Sequence, residues 1–77
     1  MKEQPSLVEL QQAHRELPSP ETRRALRREA GLSLADIGRA VGVTRQAVSG
    51  WESGRRTPRG HLLVAYVAVL RQLRGAA

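Results

Sequence analysis

The sequence contains no cysteine and only two large aromatic residues, Trp51 and Tyr66. Without cysteine, neither disulfide bonds nor thiolate metal ligands can stabilise the chain. With so few aromatic side chains, the chain lacks the stacking platform that RNA-binding modules use for unpaired bases. Stability must therefore come from one modest apolar core, which 77 residues with 40% hydrophobic content can form.

Long hydrophobic segments are also missing. The longest apolar run extends from Leu62 to Leu70, well short of the roughly 20 residues that a membrane-spanning helix needs. The first residues contain no apolar segment of the kind found in secretory signals. We therefore expect a cytoplasmic protein with no membrane partner.

The residue combinations that carry catalysis or hold metal ions are absent from the pattern. His14 and His61 stand apart from each other and from any acidic cluster. The sequence shows no nucleophile paired with a base, no paired carboxylates and no glycine-rich phosphate loop. We expect neither enzymatic activity, nor a cofactor, nor a metal site.

Positive charge is abundant and concentrated in the middle of the chain. The net charge is +6, and residues 21–60 hold nine arginines against four acidic residues. Such a field predicts a polyanionic partner, although charge alone leaves DNA, RNA and acidic lipid open. Arginine suits phosphate and guanine because its planar guanidinium donates two parallel hydrogen bonds.

Helix start and stop signals divide the chain into five segments. Starts are indicated at a set of capping residues, namely Ser6, Ser19, Ser33, Thr44 and Thr57, the first and third of them in capping boxes. Glycines at 31, 42 and 54 indicate ends. These signals predict a single all-α domain over 1–77, with helices at about 6–17, 20–30, 34–41, 45–53 and 59–74.

The two central helices are too short to be stable alone and must pack together. Ile37 lies one turn from Val41 in the first of them, and Val48 lies three residues before Trp51 in the second. Gly42 permits the left-handed backbone of a tight turn between them. A short helix, a glycine-containing turn and a second helix form the helix-turn-helix arrangement.

The segments LRREAGLSLADI, GVTRQAVSGWE and ESGRRTP resemble the phage-repressor and Cro-type helix-turn-helix regulators, the XRE family. The resemblance covers roughly Arg24 to Pro58 and implies a compact, lambda-repressor-like DNA-binding domain. Two positions depart from the family pattern. Gly38 stands where alanine is usual, and without a side chain it lets the two helices cross closely. Leu34 stands where a glutamine often contacts phosphate, so that contact is not carried over.

The resemblance implies which side chains meet DNA. The recognition helix enters the major groove with its first residues facing base edges. Arginine pairs with guanine and glutamine with adenine, which makes Arg45 and Gln46 the principal base-contacting residues. Thr44 and Ser49 are further candidates, for a thymine edge or a phosphate. Candidates for phosphate contacts are Arg55 and Arg56 and, more weakly, Arg39 and Arg59.

Glu52 is unexpected on a face that approaches phosphates. The resemblance implies that it pairs with Arg27, fixing the recognition helix to the scaffold and aiming the arginine at a phosphate. Trp51 is expected in the core, because its register points inward.

The last helix carries more apolar residues than one core needs. Leu63, Tyr66, Val67 and Leu70 are expected to close the core. Leu62, Val69 and Leu73 then need a cover, which the apolar stripe of the first helix (Leu7, Leu10 and Leu17, beside Val8 and Ala13) or a twofold dimer could supply.

The expected function is sequence-specific binding of double-stranded DNA by a transcription regulator. We expect a repressor that occupies a pseudo-palindromic operator as a homodimer, in a bacterium or a phage-infected cell. Two alternatives stay open: an antitoxin that represses its own operon, and an accessory factor in phage excision or recombination.

Overall fold

The computed structural model describes residues 4–75, which form five helices and no strand. The helices are α1 (Leu7–Glu16), α2 (Pro20–Glu29), α3 (Leu34–Val41), α4 (Arg45–Ser53) and α5 (Gly60–Gly75). The predicted all-α class is confirmed, and the helix bounds agree with the predicted ones to within one residue. The ends of the predicted domain, 1–3 and 76–77, lie outside the described residues. Over 4–75, no helix is long and apolar enough to cross a membrane.

The first four helices begin at the predicted caps. The hydroxyl oxygens of Ser6 and Ser33 accept the amides of Glu9 and Asp36, whose carboxylates accept the serine amides in return. Hydrogen bonds from Ser33 lower the pKa of the Asp36 carboxyl. Because each cap uses residues three apart, the sequence alone specifies it.

The start of α5 differs from the predicted one. Thr57 makes no capping hydrogen bond among the described residues, and Pro58 is fully buried. The helix begins at Gly60, and the carbonyl of Arg59 accepts the amides of Leu62 and Leu63 at 3.1 and 3.2 Å. The predicted cap at Thr57 was wrong: tertiary packing buries the next residue, Pro58, and the helix begins only at Gly60.

The core consists of two clusters that share α5. The larger contains five buried residues from three helices: Ile37, Val48, Trp51, Tyr66 and Leu70. Within it the rings of Trp51 and Tyr66 lie 4.6 Å apart between centroids, tilted by 43°. The smaller cluster joins Ala13 of α1 to Leu63 and Val67. The four residues expected to close the core from α5 are all buried.

The N-terminal helix uses only part of its predicted apolar stripe. Ala13 is buried and Leu17 is partly buried, but the side chains of Leu7 and Val8 are exposed. The helix therefore covers Leu63 and Val67 rather than the three residues expected to need a cover. Those three, Leu62, Val69 and Leu73, are partly buried and pack against the larger cluster.

Candidate nucleic-acid interface

The turn between α3 and α4 fixes where α4, the predicted recognition helix, crosses α3. Gly42 has a φ of 94°, and the amides of Gly42 and Val43 both donate to the Gly38 carbonyl, at 2.7 and 2.8 Å. A Cβ atom on Gly38 would lie 2.6 Å from the Val43 carbonyl oxygen. The absence of that atom allows a crossing closer than an alanine would permit.

This crossing gives α4 a buried side and an exposed side. Val48 and Trp51 face the core, whereas Arg45 and Gln46 in the first turn are exposed. Within residues 4–75, neither of these exposed side chains takes part in a hydrogen bond or ion pair. Ser49 is partly exposed one turn later, at the spacing that places it beside them. The first turn therefore presents free donors and acceptors to a ligand.

Thr44 holds the first turn of α4 in shape. Its hydroxyl oxygen accepts the Ala47 amide at 3.2 Å, which leaves the hydroxyl proton free to donate. The first turn contains no acidic residue, unlike the first turns of α1, α2 and α3. The positive end of the helix dipole is thus uncompensated there, which suits a phosphate.

The last turn of α4 is attached to α2 through a partly buried ion pair. Arg27 donates to both carboxylate oxygens of Glu52, at 2.6 and 2.9 Å, and to the Leu32 carbonyl at 3.0 Å. The hydrogen bond with Glu52 raises the pKa of Arg27, so the guanidinium stays charged. Arg24 approaches the same carboxylate at 3.7 Å. Because three donor groups of Arg27 are held inside, its contact with a phosphate stays a prediction.

Three of the four candidate phosphate arginines line one groove. Arg55, Arg56 and Arg59 border an open groove of about 520 Å³ whose apolar wall includes Ala47 and Leu62. Since Ala47 lies in the first turn of α4, the groove adjoins the proposed base-contacting end. The structure therefore brings these three arginines together with α4.

Two of these arginines are positioned by short-range contacts. The Ser53 hydroxyl oxygen accepts both the amide and the Nε of Arg55, at 3.4 and 3.2 Å. The Arg56 amide donates to the Gly50 carbonyl at 3.1 Å. The methylene groups of the Arg56 side chain lie where a side chain on residue 50 would project. Gly50 is thus buried beneath Arg56 and does not face the exposed side of α4. Ser53 and Gly50 were not singled out as supports of these arginines in the sequence.

The structure does not bring Arg39 into this group. Arg39 is exposed on α3 and donates to the carboxylate of Asp36, three residues before it. An exposed pair of this kind contributes little stability, so it does not prevent the arginine from exchanging partners.

This arrangement of helices is shared with a known family. A family model described as helix-turn-helix matches residues 24–73, more than half of the chain. The chain belongs to the XRE-type helix-turn-helix family. The resemblance seen in the sequence is thereby confirmed, and the XRE match extends it through most of α5. No curated protein and no solved structure matches the chain.

Membership of the XRE family assigns the general activity. The chain is a DNA-binding transcription regulator, with double-stranded DNA as its partner. The match begins at Arg24, so α1, the α1–α2 linker and the first four residues of α2 lie ahead of the part that defines the family.

Sequence reasoning missed one structural residue, Arg23. It is only 8% exposed and donates to the carbonyls of Pro18 and Trp51. In the sequence it is one of the nine arginines that make residues 21–60 positively charged. A signal was present, since Arg23 lies three and four residues before the inward-facing Leu26 and Arg27, on the same side of α2. Its acceptors, however, are main-chain carbonyls, which no residue pattern marks.

Proposed function

We propose that this protein is a sequence-specific repressor that acts by occupying an operator, in the manner of the Cro-type regulators that its sequence resembles. Arg45 and Gln46 contact base edges in the major groove, and Thr44 and Ser49 contact a base edge or an adjacent phosphate. One observation carries the proposal: the first turn of α4 offers an exposed arginine and glutamine that have no hydrogen-bond or ion-pair partner within residues 4–75, while the opposite side of the same helix is buried.

The arginines around the groove supply the sequence-independent part of binding. Arg55, Arg56 and Arg59 contact phosphates, and Arg39 adds a more distant contact. Support comes from the groove that Arg55, Arg56 and Arg59 share with Ala47 of α4 and from the hydrogen bonds that hold Arg55 and Arg56.

The working form is a homodimer on a pseudo-palindromic operator. A single recognition helix contacts only a few base pairs, so a twofold dimer with half-sites about 34 Å apart doubles the sequence that is recognised. Selection of bound sequences from random duplex DNA tests this directly. Two inverted half-sites separated by one helical turn are expected, and a single unrepeated site would contradict the dimer.

The base contacts are tested on the selected operator. Arg45→Ala and Gln46→Ala should each weaken operator binding by about 1–3 kcal/mol and relax the preference at one base pair. Arg55→Ala should weaken binding to all sequences and flatten the dependence of affinity on salt. Arg15→Ala, an exposed arginine on α1, is the charge-matched control. Operator discrimination that survives both Arg45→Ala and Gln46→Ala would show that the recognition residues are assigned wrongly.

A second candidate function is an antitoxin that also represses its own operon. The exposed apolar side chains of Leu7 (84%) and Val8 (59%) on α1 favour it, because they give a protein partner a surface to bind. Co-expression with a toxic reading frame adjacent to the gene tests it. Rescue of growth by the intact chain and loss of rescue in Leu7→Ser/Val8→Ser would support the antitoxin function. Equal rescue by the intact chain and by the double variant would exclude this surface as the toxin-binding site.

A further inference from the structure

Arg23 joins two parts of the molecule that are distant in the sequence. Its Nε donates to the Pro18 carbonyl at 2.7 Å, and its Nη1 donates to the Trp51 carbonyl at 2.7 Å. The residue is buried on α2. A guanidinium suits this task because its donors lie in a rigid plane, so one side chain fixes the distance between two acceptors.

The Trp51 carbonyl needs a partner from outside its own helix. The last carbonyls of a helix have no amide donor within it, and α4 is capped by Gly54, whose φ of 81° is left-handed. The charge of Arg23 also lies at the negative end of the α4 dipole. Arg23 therefore closes the end of the recognition helix that is opposite to Arg45 and Gln46.

The Pro18 carbonyl belongs to the linker that connects α1 to α2. The linker is anchored by α1, which packs on α5 through Ala13 and Leu17 and forms an ion pair between Glu16 and Arg71. The next part of the chain also touches the end of α4, since Pro20 lies 3.6 Å from where a Gly54 side chain would begin. Contacts through Pro18 and Arg23 thus connect the docked α1 to the last turn of α4.

This connection begins outside the residues that match the family. The match to the helix-turn-helix family begins at residue 24, so α1, Pro18 and Arg23 all precede it. The Arg27–Glu52 pair, in contrast, lies within the match and already fixes the last turn to α2. Arg23 adds a second attachment, whose other end is the N-terminal segment.

We infer that Arg23 is a positioning residue for DNA recognition, because it makes the orientation of the base-contacting turn of α4 depend on the docked N-terminal helix. The inference rests on the proposed function of Arg45 and Gln46. It concerns sequence discrimination, not the phosphate contacts, since Arg23 is buried and cannot reach DNA.

The test compares Arg23→Met with Arg28→Met in the full chain. Methionine retains an unbranched apolar stem but loses both hydrogen bonds, and Arg28 is an exposed arginine on the same helix that controls for the lost charge. The measurement is the ratio of the Kd for a scrambled duplex to the Kd for the selected operator. A merely structural role lowers the folded fraction equally for both duplexes, so that fraction cancels in the ratio.

Arg23→Met is expected to lower this ratio about fivefold, within the roughly 2- to 30-fold range found for mutations that alter coupling between sites. Arg28→Met should keep the wild-type ratio. Hydrogen exchange should also become faster in the last turn of α4. An unchanged ratio in Arg23→Met, with a reduced ratio in Arg45→Ala and Gln46→Ala, would overturn the role of Arg23 and leave the proposed function intact.

Two further outcomes are decisive. If Arg45→Ala and Gln46→Ala keep the wild-type ratio, the proposed function is wrong and the role of Arg23 falls with it. If Arg23→Met does not fold, Arg23→Lys takes its place, because one ammonium group cannot hold two carbonyls in a fixed plane. If the Kd ratio of Arg23→Lys is below that of the wild type, the inference is supported. If the ratio equals that of the wild type, the inference is overturned.

Discussion

The two ends of α4 differ in what surrounds them. The first turn is exposed, and its side-chain hydrogen bond is the local cap from Thr44 to Ala47. The last turn is buried, and Arg23 and Arg27 donate to its Trp51 carbonyl and Glu52 carboxylate. Arginine thus supports the fold at one end of the helix and remains available for a ligand at the other. What differs is burial and the presence of an acceptor, not residue type.

The difference also separates stability from recognition. A buried charge must be paired, because removing it from water costs several kcal/mol. An exposed arginine has no such cost and is free to bind a phosphate or a base. Mutations at the exposed end should therefore leave stability nearly unchanged, whereas mutations at the buried end should lower it, and the following predictions test that division.

The largest effect is expected at the buried end. Glu52→Gln leaves the partly buried Arg27 without its countercharge and should lower the free energy of unfolding by about 3 kcal/mol, the lower end of the range for a buried pair. Urea unfolding measures the loss. Glu29→Gln, an exposed carboxylate on α2, is the control and should change little. A loss below about 1 kcal/mol in Glu52→Gln would mean that the pair does not fix the helix.

Tyr66, which packs against Trp51, should make the buried end sensitive to alkali. Burial, and secondarily the charge of Glu52, raise the pKa of Tyr66 from 10.0 to about 12. Between pH 10 and 12 the unfolded chain loses this proton while the folded chain keeps it. The free energy of unfolding should therefore fall by about 2–3 kcal/mol as the pH rises through this window.

The variant Tyr66→Phe isolates this contribution. The Tyr66 hydroxyl has no hydrogen-bond partner in the described part of the chain, so its removal should cost little at pH 7. Stability curves of the two proteins should diverge above pH 10, with Tyr66→Phe the more stable. Parallel curves up to pH 12 would contradict the raised pKa.

A smaller effect is expected where α3 crosses the start of α4. Gly38→Ala brings a Cβ atom against the rigid Val43 carbonyl and should cost about 1–3 kcal/mol. Gly50→Ala meets only the movable methylenes of Arg56, at 3.1 Å, and gains up to about 1 kcal/mol of helix propensity. The midpoint temperature of thermal unfolding should be higher for Gly50→Ala than for Gly38→Ala. The reverse order would contradict the close crossing of α3 and α4.

The smallest effect on stability belongs to the exposed end. Arg45→Ala and Gln46→Ala should each change the free energy of unfolding by no more than about 0.5 kcal/mol, because both side chains are exposed and neither makes a hydrogen bond or ion pair within residues 4–75. Chemical unfolding of the two variants and of the wild type measures these differences in the free energy of unfolding. A loss comparable to that of Gly38→Ala would mean that the division between the two ends is wrong.

The sequence predicted what depends on residues close together in the chain. The caps at Ser6, Ser19, Ser33 and Thr44 each involve residues within three positions, and each is present. The turn at Gly42 was predicted for the same reason. The cap at Thr57 failed because burial of Pro58 is decided by the whole core and not by its neighbours.

Contacts between distant residues were predicted less completely. Arg27 and Glu52 are 25 positions apart and were paired only through the family resemblance. Arg23, which donates to main-chain carbonyls, was not predicted. Periodicity could place Leu7 and Leu17 on one stripe of α1, but it could not reveal that α5 covers only part of that stripe. The predicted DNA contacts stay predictions until the operator is bound.

Because the core residues of α4 and the residues proposed to face DNA occupy separate positions, the scaffold can be reused for other targets. Arg45, Gln46 and Ser49 contribute nothing to the two core clusters, whereas Val48 and Trp51 belong to the larger one. Members of a library randomised only at positions 45, 46 and 49 should stay folded and prefer different DNA sites. One 77-residue chain could thus be developed into a panel of mutually orthogonal genetic switches.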